Sequence, residues 1–191
     1  MKTLILNGSP RKRGDTAHLI QAVKEHLQGE VREIRAFEAG IRSCTDCRYC
    51  RAHADCAIRD GGKELLAVIR ESDCILIASP VWFGTLPGEL LSMLSRLQAE
   101  FSGHAFRGEP MPPRNKKGAI LLTAGGSGGE ENAIQTATIL LKEMGAGEIF
   151  PAVCVKETDH RPASENADVL EKAKQIAAFF NCQEGEVPII E

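Results

Sequence analysis

Short runs of Ile, Leu and Val alternate along the chain with longer stretches whose apolar residues recur every third or fourth position. The runs predict strands over 3–7, 31–36, 73–79, 118–124 and 149–155. Two of them, Cys74-Ile75-Leu76-Ile77-Ala78 and Ala119-Ile120-Leu121-Leu122, are apolar throughout, as central parallel strands covered on both faces are. The periodic stretches predict helices over 16–28, 62–71, 88–99, 130–144 and 164–180, with Leu19, Val23 and Leu27, or Ile134, Ala137 and Leu141, as the inward stripe. Five successive strand–helix units imply right-handed crossovers and a doubly wound α/β sheet with helices on both faces. No repeat or low-complexity segment interrupts the pattern, so 1–191 reads as one domain. Two long connections stand apart, a cysteine-rich insertion over 41–60 after the second strand and an aperiodic Gly- and Pro-rich stretch over 102–116. Loops of that length in a compact domain usually serve function or assembly.

Composition narrows the function classes. With 43% hydrophobic residues in 191, the chain has enough apolar material for a full single core. A formal net charge of -3 favours neither nucleic acid nor an anionic membrane surface, which leaves small molecules or proteins as partners. The first apolar run, Leu4 to Leu6, is too short for a secretory signal, and no stretch reaches the roughly 18 apolar residues of a membrane span. The expected location is cytoplasmic. Seven cysteines kept as thiols there point to metal or redox chemistry rather than to disulfides. Cys74, Cys154 and Cys182 stand singly in apolar or helical surroundings and read as small buried hydrophobes.

Ligands of open parallel sheets bind outside the carboxyl ends of the strands, so the segments after strands carry the chemistry. After the first strand comes Asn7-Gly8-Ser9-Pro10-Arg11-Lys12-Arg13-Gly14-Asp15-Thr16, opening a helix. Gly8 and Gly14 permit close backbone approach, Ser9 and Thr16 offer hydroxyls, Arg11 offers a charged fork, and the helix start presents unpaired N–H groups. A phosphate monoester fits that set. The segment is neither the Gly-x-Gly-x-x-Gly dinucleotide fingerprint nor a Walker loop. A plain turn with Asp15 or Thr16 as helix cap accounts for 14–16 but not for Ser9 and Arg11. After the third strand, Ser79-Pro80-Val81-Trp82-Phe83-Gly84 offers aromatic faces and backbone N–H groups to a flat ligand; the alternative is that Trp82 and Phe83 fill the core or a subunit interface. After the fourth, Thr123-Ala124-Gly125-Gly126-Ser127-Gly128-Gly129 is again rich in exposed backbone and precedes a helix.

These motifs resemble the NADPH-dependent FMN reductase family, which is flavodoxin-like. The first loop is similar to its Gly-Ser-Pro-Arg-x-x-Gly-x-Thr pattern, and Ser-Pro-Val-Trp-Phe-Gly to its Ser-Pro-x-Tyr-x-Gly flavin loop. The resemblance spans about 1–150 and implies a five-stranded sheet of order 2-1-3-4-5. It also implies FMN, with Ser9, Arg11, Gly14 and Thr16 at its phosphate and with Pro80, Val81, Trp82, Phe83, Gly84, Thr123, Ala124, Gly125 and Gly126 along its ring. NAD(P)H enters as co-substrate, and relatives of this fold commonly place the flavin at the interface of a homodimer or homotetramer. Ser95-Arg96 departs from the Asp-Arg of many relatives, and Asp15 stands where Asn is frequent.

The run Cys44-x2-Cys47-x2-Cys50-x5-Cys56 resembles the compact motif of the family's iron-sulfur flavoprotein branch. Two-residue gaps let three thiolates wrap three corners of a [4Fe–4S] cubane, with Cys56 for the fourth. Tetrahedral zinc and an unmetallated thiol loop are the alternatives. Arg42, Arg48, Arg51 and Arg59 flank the run and favour thiolates or a reduced cluster. No Ser-His-Asp, Cys-His or paired-carboxylate constellation is present in the sequence, so no catalytic side chain is assigned; the flavin carries the chemistry. The expectation is an enzyme that uses NAD(P)H or a ferredoxin-like donor to reduce a small acceptor such as a flavin or quinone. A non-enzymatic electron carrier and a thiol or metal sensor on the same scaffold are the competing classes.

Overall fold

The computed structural model describes residues 1–182. Five strand positions form one parallel sheet in the order β2-β1-β3-β4-β5, with β1 Lys2–Asn7, β2 Glu30–Arg35, β3 Cys74–Pro80 and β4 Lys116–Thr123. The fifth position is occupied by two short strands rather than the continuous 149–155 the sequence predicts. β5 (Ala146–Ile149) pairs with the start of β4, and β6 (Val153–Val155) pairs with Leu121–Thr123 at its end. Pro151 lies in the gap and has no N–H to give a ladder, which breaks the strand there.

Side chains alternate across the pleat and supply two cores. Leu4, Leu6, Ile75, Ile77, Ile120 and Leu122 face α2 (Gly62–Glu71), α3 (Gly88–Leu94) and α5 (Glu131–Glu143). Ile5, Leu76, Ala78, Ala119 and Leu121 face α1 (Asp15–Lys24) and α6 (Ala167–Asn181). This is the doubly wound, flavodoxin-like arrangement that the periodicity and the resemblance imply. Among the described residues no helix is long and apolar enough to cross a membrane.

One segment departs from expectation. The stretch over 102–116 is not wholly a loop, because Gln98–Arg107 is a helix, α4, joined to α3 through a 3-10 turn at Ser95–Leu97 and ended by Gly108 at φ 68°. Its pattern is inverted: the small residues Ser102 and Gly103 are buried while Phe101 and Phe106 are half exposed. Hydrophobic periodicity finds helices whose apolar side faces the core, and α4 instead packs a small-residue face against the cysteine-bearing loop.

Phe180 is almost fully buried and anchors α6 on the second core. Phe180→Ala is expected to lower stability by about 3–5 kcal/mol, measured by urea unfolding with unchanged m-value.

Candidate functional site

β1, β3 and β4 end at a common level, with Asn7 opposite Ala78 and Pro80 opposite Thr123, so the three following segments leave the sheet side by side. They close on a cavity of about 380 Å³ lined by Ser9, Arg11, Gly14 and Thr16, by Pro80, Val81, Trp82 and Phe83, and by Thr123 and Gly125. Ten of the thirteen residues expected at the cofactor therefore share one wall-to-wall crevice. Gly84, Ala124 and Gly126 do not line it. Ala124 is buried and its N–H is committed to the Val155 carbonyl at 2.7 Å, while the Gly126 carbonyl accepts from Glu157 N at 2.9 Å. Thr158 and Asp159, from the connection after β6, complete the lining. Sequence reasoning missed them, since that connection has neither glycines nor a phosphate motif; its signal is only its position after a strand.

The first loop is held in shape by its own polar atoms. Asn7 is fully buried; its Oδ1 accepts from Ser9 N at 2.8 Å and its Nδ2 donates to Glu33 Oε1 at 2.8 Å. Ser9 Oγ accepts from Arg11 N at 3.2 Å, and Arg35 Nη2 reaches the Ser9 carbonyl at 3.4 Å. Gly8 has no room for a Cβ, which would meet Ser79 Oγ at 2.5 Å, so the loop lies flush on the end of β3. The N-cap of α1 is Gly14 in extended conformation without a side-chain cap, which leaves the first-turn amides facing the crevice. Asp15 turns away: its Oδ1 accepts from Ala163 N at 2.7 Å and ties α1 to the turn before α6. Thr16 Oγ1 and Thr123 Oγ1 lie 2.9 Å apart and join the first and third walls.

The second wall is a two-residue hairpin. Trp82 N donates to Thr85 O at 2.9 Å and Thr85 N to Trp82 O at 3.0 Å, with Phe83 at φ 50° and Gly84 at φ 74° between them. The Trp82 amide is thus engaged, contrary to the expectation that it faces a ligand. A phenylalanine in the left-handed region costs about 1–3 kcal/mol. The hairpin holds the Phe83 ring fully in solvent and Trp82 41% exposed, so neither residue fills the core. Phe37 backs the indole edge-on at 5.9 Å between ring centroids.

The cysteine loop forms a second site beside α4. Cys44, Cys47, Cys50 and Cys56 all line one cavity of about 90 Å³ together with Arg48, Arg51 and Arg96. Asp46 at φ 48° and Arg48 at φ 62° put two left-handed turns of the backbone between the first three cysteines. Cys50 Sγ donates to Ser102 Oγ at 3.2 Å, which accounts for the small buried face of α4. Of the arginines flanking the run, Arg42 and Arg59 lean on Asp60 and Asp55, and Arg51 lies over the Phe106 ring. Arg96, 52 residues past Cys44 and fully buried, was not legible as a member of this site. Tyr49 stacks on His53 at 4.0 Å at the surface. Among the described residues no three His, Cys, Asp or Glu side chains converge closely enough to hold a metal ion as they stand. Burial pushes the thiols of Cys74 and Cys154 up to about 11, in keeping with an inert structural role.

A more capacious cavity, about 750 Å³, lies between α2, α4 and the residues that open β3 and β4, such as Ser72, Asp73 and Lys116. It is therefore at the amino end of the strands. Its charges neutralise one another, Arg70 with Glu100 at 2.8 Å and Arg107 with Glu109 at 2.8 Å, and size alone does not make it the centre of the chemistry.

Burial works to raise Glu33, but hydrogen bonds from Asn7 and Lys24 and the charges of Lys24 and Arg35 outweigh it and hold the carboxyl below its ordinary 4.5. A depressed folded value means that the ionised carboxylate contributes stability in full above about pH 4.5 and loses it as pH falls through the lower folded value. Denaturant titrations between about pH 5 and about pH 3 are expected to show a steeper stability loss in the parent than in Glu33→Gln, whose curve flattens over that interval.

Comparison with known proteins adds to this geometry. The family model for NADPH-dependent FMN reductase matches residues 1–178. An iron-sulfur flavoprotein of Methanocaldococcus jannaschii is 30% identical over 139 residues, 71% of this chain and 68% of that protein. One from Archaeoglobus fulgidus is 26% identical over 181 residues, 93% and 78% of the two chains. Among solved structures, an azoreductase of Bacillus anthracis superposes with a TM-score of 0.71 at 18% identity, covering 94% of this chain and all of that one. An NAD(P)H:quinone oxidoreductase of Methanothermobacter marburgensis gives 0.71 at 16% identity over 98% and 99%. At such identities the structures establish the shared fold. The sequence matches carry the assignment further: the chain belongs to the NADPH-dependent FMN reductase family, with iron-sulfur flavoproteins among its relatives, and is an NAD(P)H-dependent flavin oxidoreductase.

Proposed function

We propose that this oxidoreductase passes reducing equivalents from NAD(P)H to a small flat acceptor such as a flavin or quinone, and that its cysteine loop holds a [4Fe–4S] cluster through Cys44, Cys47, Cys50 and Cys56. The single observation that carries the first part is the convergence of three post-strand segments on one crevice that has an uncapped helix start at one end and an indole at the other. The donor set fits FMN: the α1 amides, the Ser9 and Thr16 hydroxyls and the Arg11 guanidinium would hold the phosphate, and Trp82 with Thr123 and Gly125 would flank the ring. When bound, FMN supplies hydride acceptance and the release of electrons singly or in pairs. The chain supplies position and charge. Phe83 and Trp82 keep an apolar lip at the mouth, the hairpin fixes their rings, and Asp159 sets the one carboxylate among the lining residues beyond the Asp15 that is tied to Ala163.

The cysteine cavity supports the second part. A single zinc ion, with bonds of about 2.3 Å to sulfur, asks four thiolates to converge on one point. A cubane offers each thiolate its own iron corner, which suits four cysteines that line one shared cavity. Exposed Phe101 and Phe106 on α4, beside Arg48 and Arg51, would face a ferredoxin-like donor or the neighbouring subunit of a dimer.

Three outcomes follow. Anaerobic NADPH added to FMN-loaded protein is expected to bleach the visible flavin band; an unchanged band with intact FMN would overturn NAD(P)H as donor. Protein purified without oxygen is expected to carry about four irons and four sulfides per chain, whereas stoichiometric zinc without sulfide would overturn the cluster. Arg11→Ala is expected to weaken FMN by about tenfold or more while leaving riboflavin nearly unaffected, because only the phosphate contact, worth about 1.5–3 kcal/mol, is removed. Fluorescence quenching of both ligands measures the difference.

A further inference from the structure

The cysteine loop is tied down by two consecutive residues that lie far from it in sequence. Ser95 Oγ accepts from Cys44 N at 2.8 Å and donates to the Ser92 carbonyl at 2.6 Å, so the first cysteine is anchored to the end of α3. The next side chain, Arg96, runs under the loop. Its Nη1 donates to Asp60 Oδ1 and Oδ2 at 2.8 and 2.9 Å and to the Arg42 carbonyl at 3.3 Å; its Nη2 donates to the Ile58 carbonyl at 3.4 Å. Asp60 in turn accepts from Arg42 N at 3.0 Å and Gly62 N at 2.9 Å. Gly62 leaves just the space the guanidinium fills, since a Cβ there would lie 2.6 Å from it. Residues 42 and 58–62, on the two sides of the cysteine run, therefore meet at one fully buried guanidinium.

We infer that Ser95 and Arg96 are the positioning residues of the cysteine site: they close the loop and fix its four thiols around one cavity before any metal is taken up. The inference deepens the cluster reading and rests on it only for what the cavity receives. Closing a loop of this length costs conformational entropy that an unpinned loop would bear at the moment of binding. Arg96 meets that cost during folding, because its planar fork reaches two carbonyls and a carboxylate at once, a set that a lysine ammonium on its thinner reach does not reproduce. Ser95 contributes a neutral acceptor to the Cys44 amide.

The test uses full-length protein. In apoprotein, alkylation of each cysteine is followed by mass spectrometry with iodoacetamide as probe. Arg96→Met is expected to speed Cys44, Cys50 and Cys56 by about fivefold or more, with Cys47 changed by less than about twofold, since it is already exposed, and with Cys74 protected as a fold control. Arg96→Lys is expected to fall between. After anaerobic reconstitution, Arg96→Met retains about a fifth or less of the parent's iron and sulfide while FMN affinity stays within about twofold. Parent-like alkylation rates or parent-like iron retention in Arg96→Met would overturn the assignment. If Arg96→Met does not fold, Ser95→Ala decides: faster alkylation of Cys44 by about threefold supports the assignment and an unchanged rate overturns it. A parent protein that takes up no iron defeats the cluster reading by itself, whereas the alkylation rates judge the positioning role independently.

Discussion

Everything at the carboxyl edge depends on where three parallel strands stop. Parallel register brings Asn7, Ala78–Pro80 and Leu121–Thr123 to one level, so the phosphate-type loop, the aromatic hairpin and the glycine loop leave the sheet as neighbours. A slip of one residue in any strand would send each side chain into the opposite core, where its shape does not fit, and carry its loop out of the crevice, so the packed cores that fix the register also fix the site. The Thr16–Thr123 contact then locks the first and third segments to each other.

Most of this was legible in the sequence because the signals were strong and local. Continuous apolar runs marked the central strands, three-and-four spacing marked the helices, and three of the segments that line the crevice followed strands with glycine, hydroxyl or aromatic signals. What escaped reading obeys a different physics. α4 buries Ser102 and Gly103 and exposes Phe101 and Phe106, so its hydrophobic pattern points the wrong way for a core helix; its partner is a polar thiol loop. The fifth strand is broken by Pro151, whose effect on a ladder depends on pairing that sequence alone does not give. Thr158 and Asp159 enter the crevice only because Thr158 bonds back to the Ala124 carbonyl, a tertiary contact with no local signature. Trp82 reads correctly as an exposed aromatic of the crevice, but its amide is spent on the hairpin and is not free for a ligand.

The two sites share a short piece of chain. The hairpin at Trp82–Thr85 leads into α3, a helix of seven residues and so about 10 Å long, and α3 ends at Ser95 and Arg96 beneath the cysteines. Leu90, Met93 and Leu94 bury that helix in the first core, which makes it a stiff spacer between the aromatic wall of one site and the anchor of the other. Polar pairs beside each site, Asn7 with Glu33 and Arg96 with Asp60, specify loop shape; the buried Arg96–Asp60 ion pair adds little net stability but is costly to break singly.

In the proposed function the uncapped start of α1, with Ser9, Arg11 and Thr16, grips a dianionic headgroup so that a flat ring lies against Trp82. Isothermal titration of apoprotein with FMN and with riboflavin tests it most directly. One FMN per chain is expected to bind at least about a hundredfold tighter than riboflavin, as several charge-assisted contacts to one phosphate require. Equal affinity for the two ligands, or no heat with either, would contradict it.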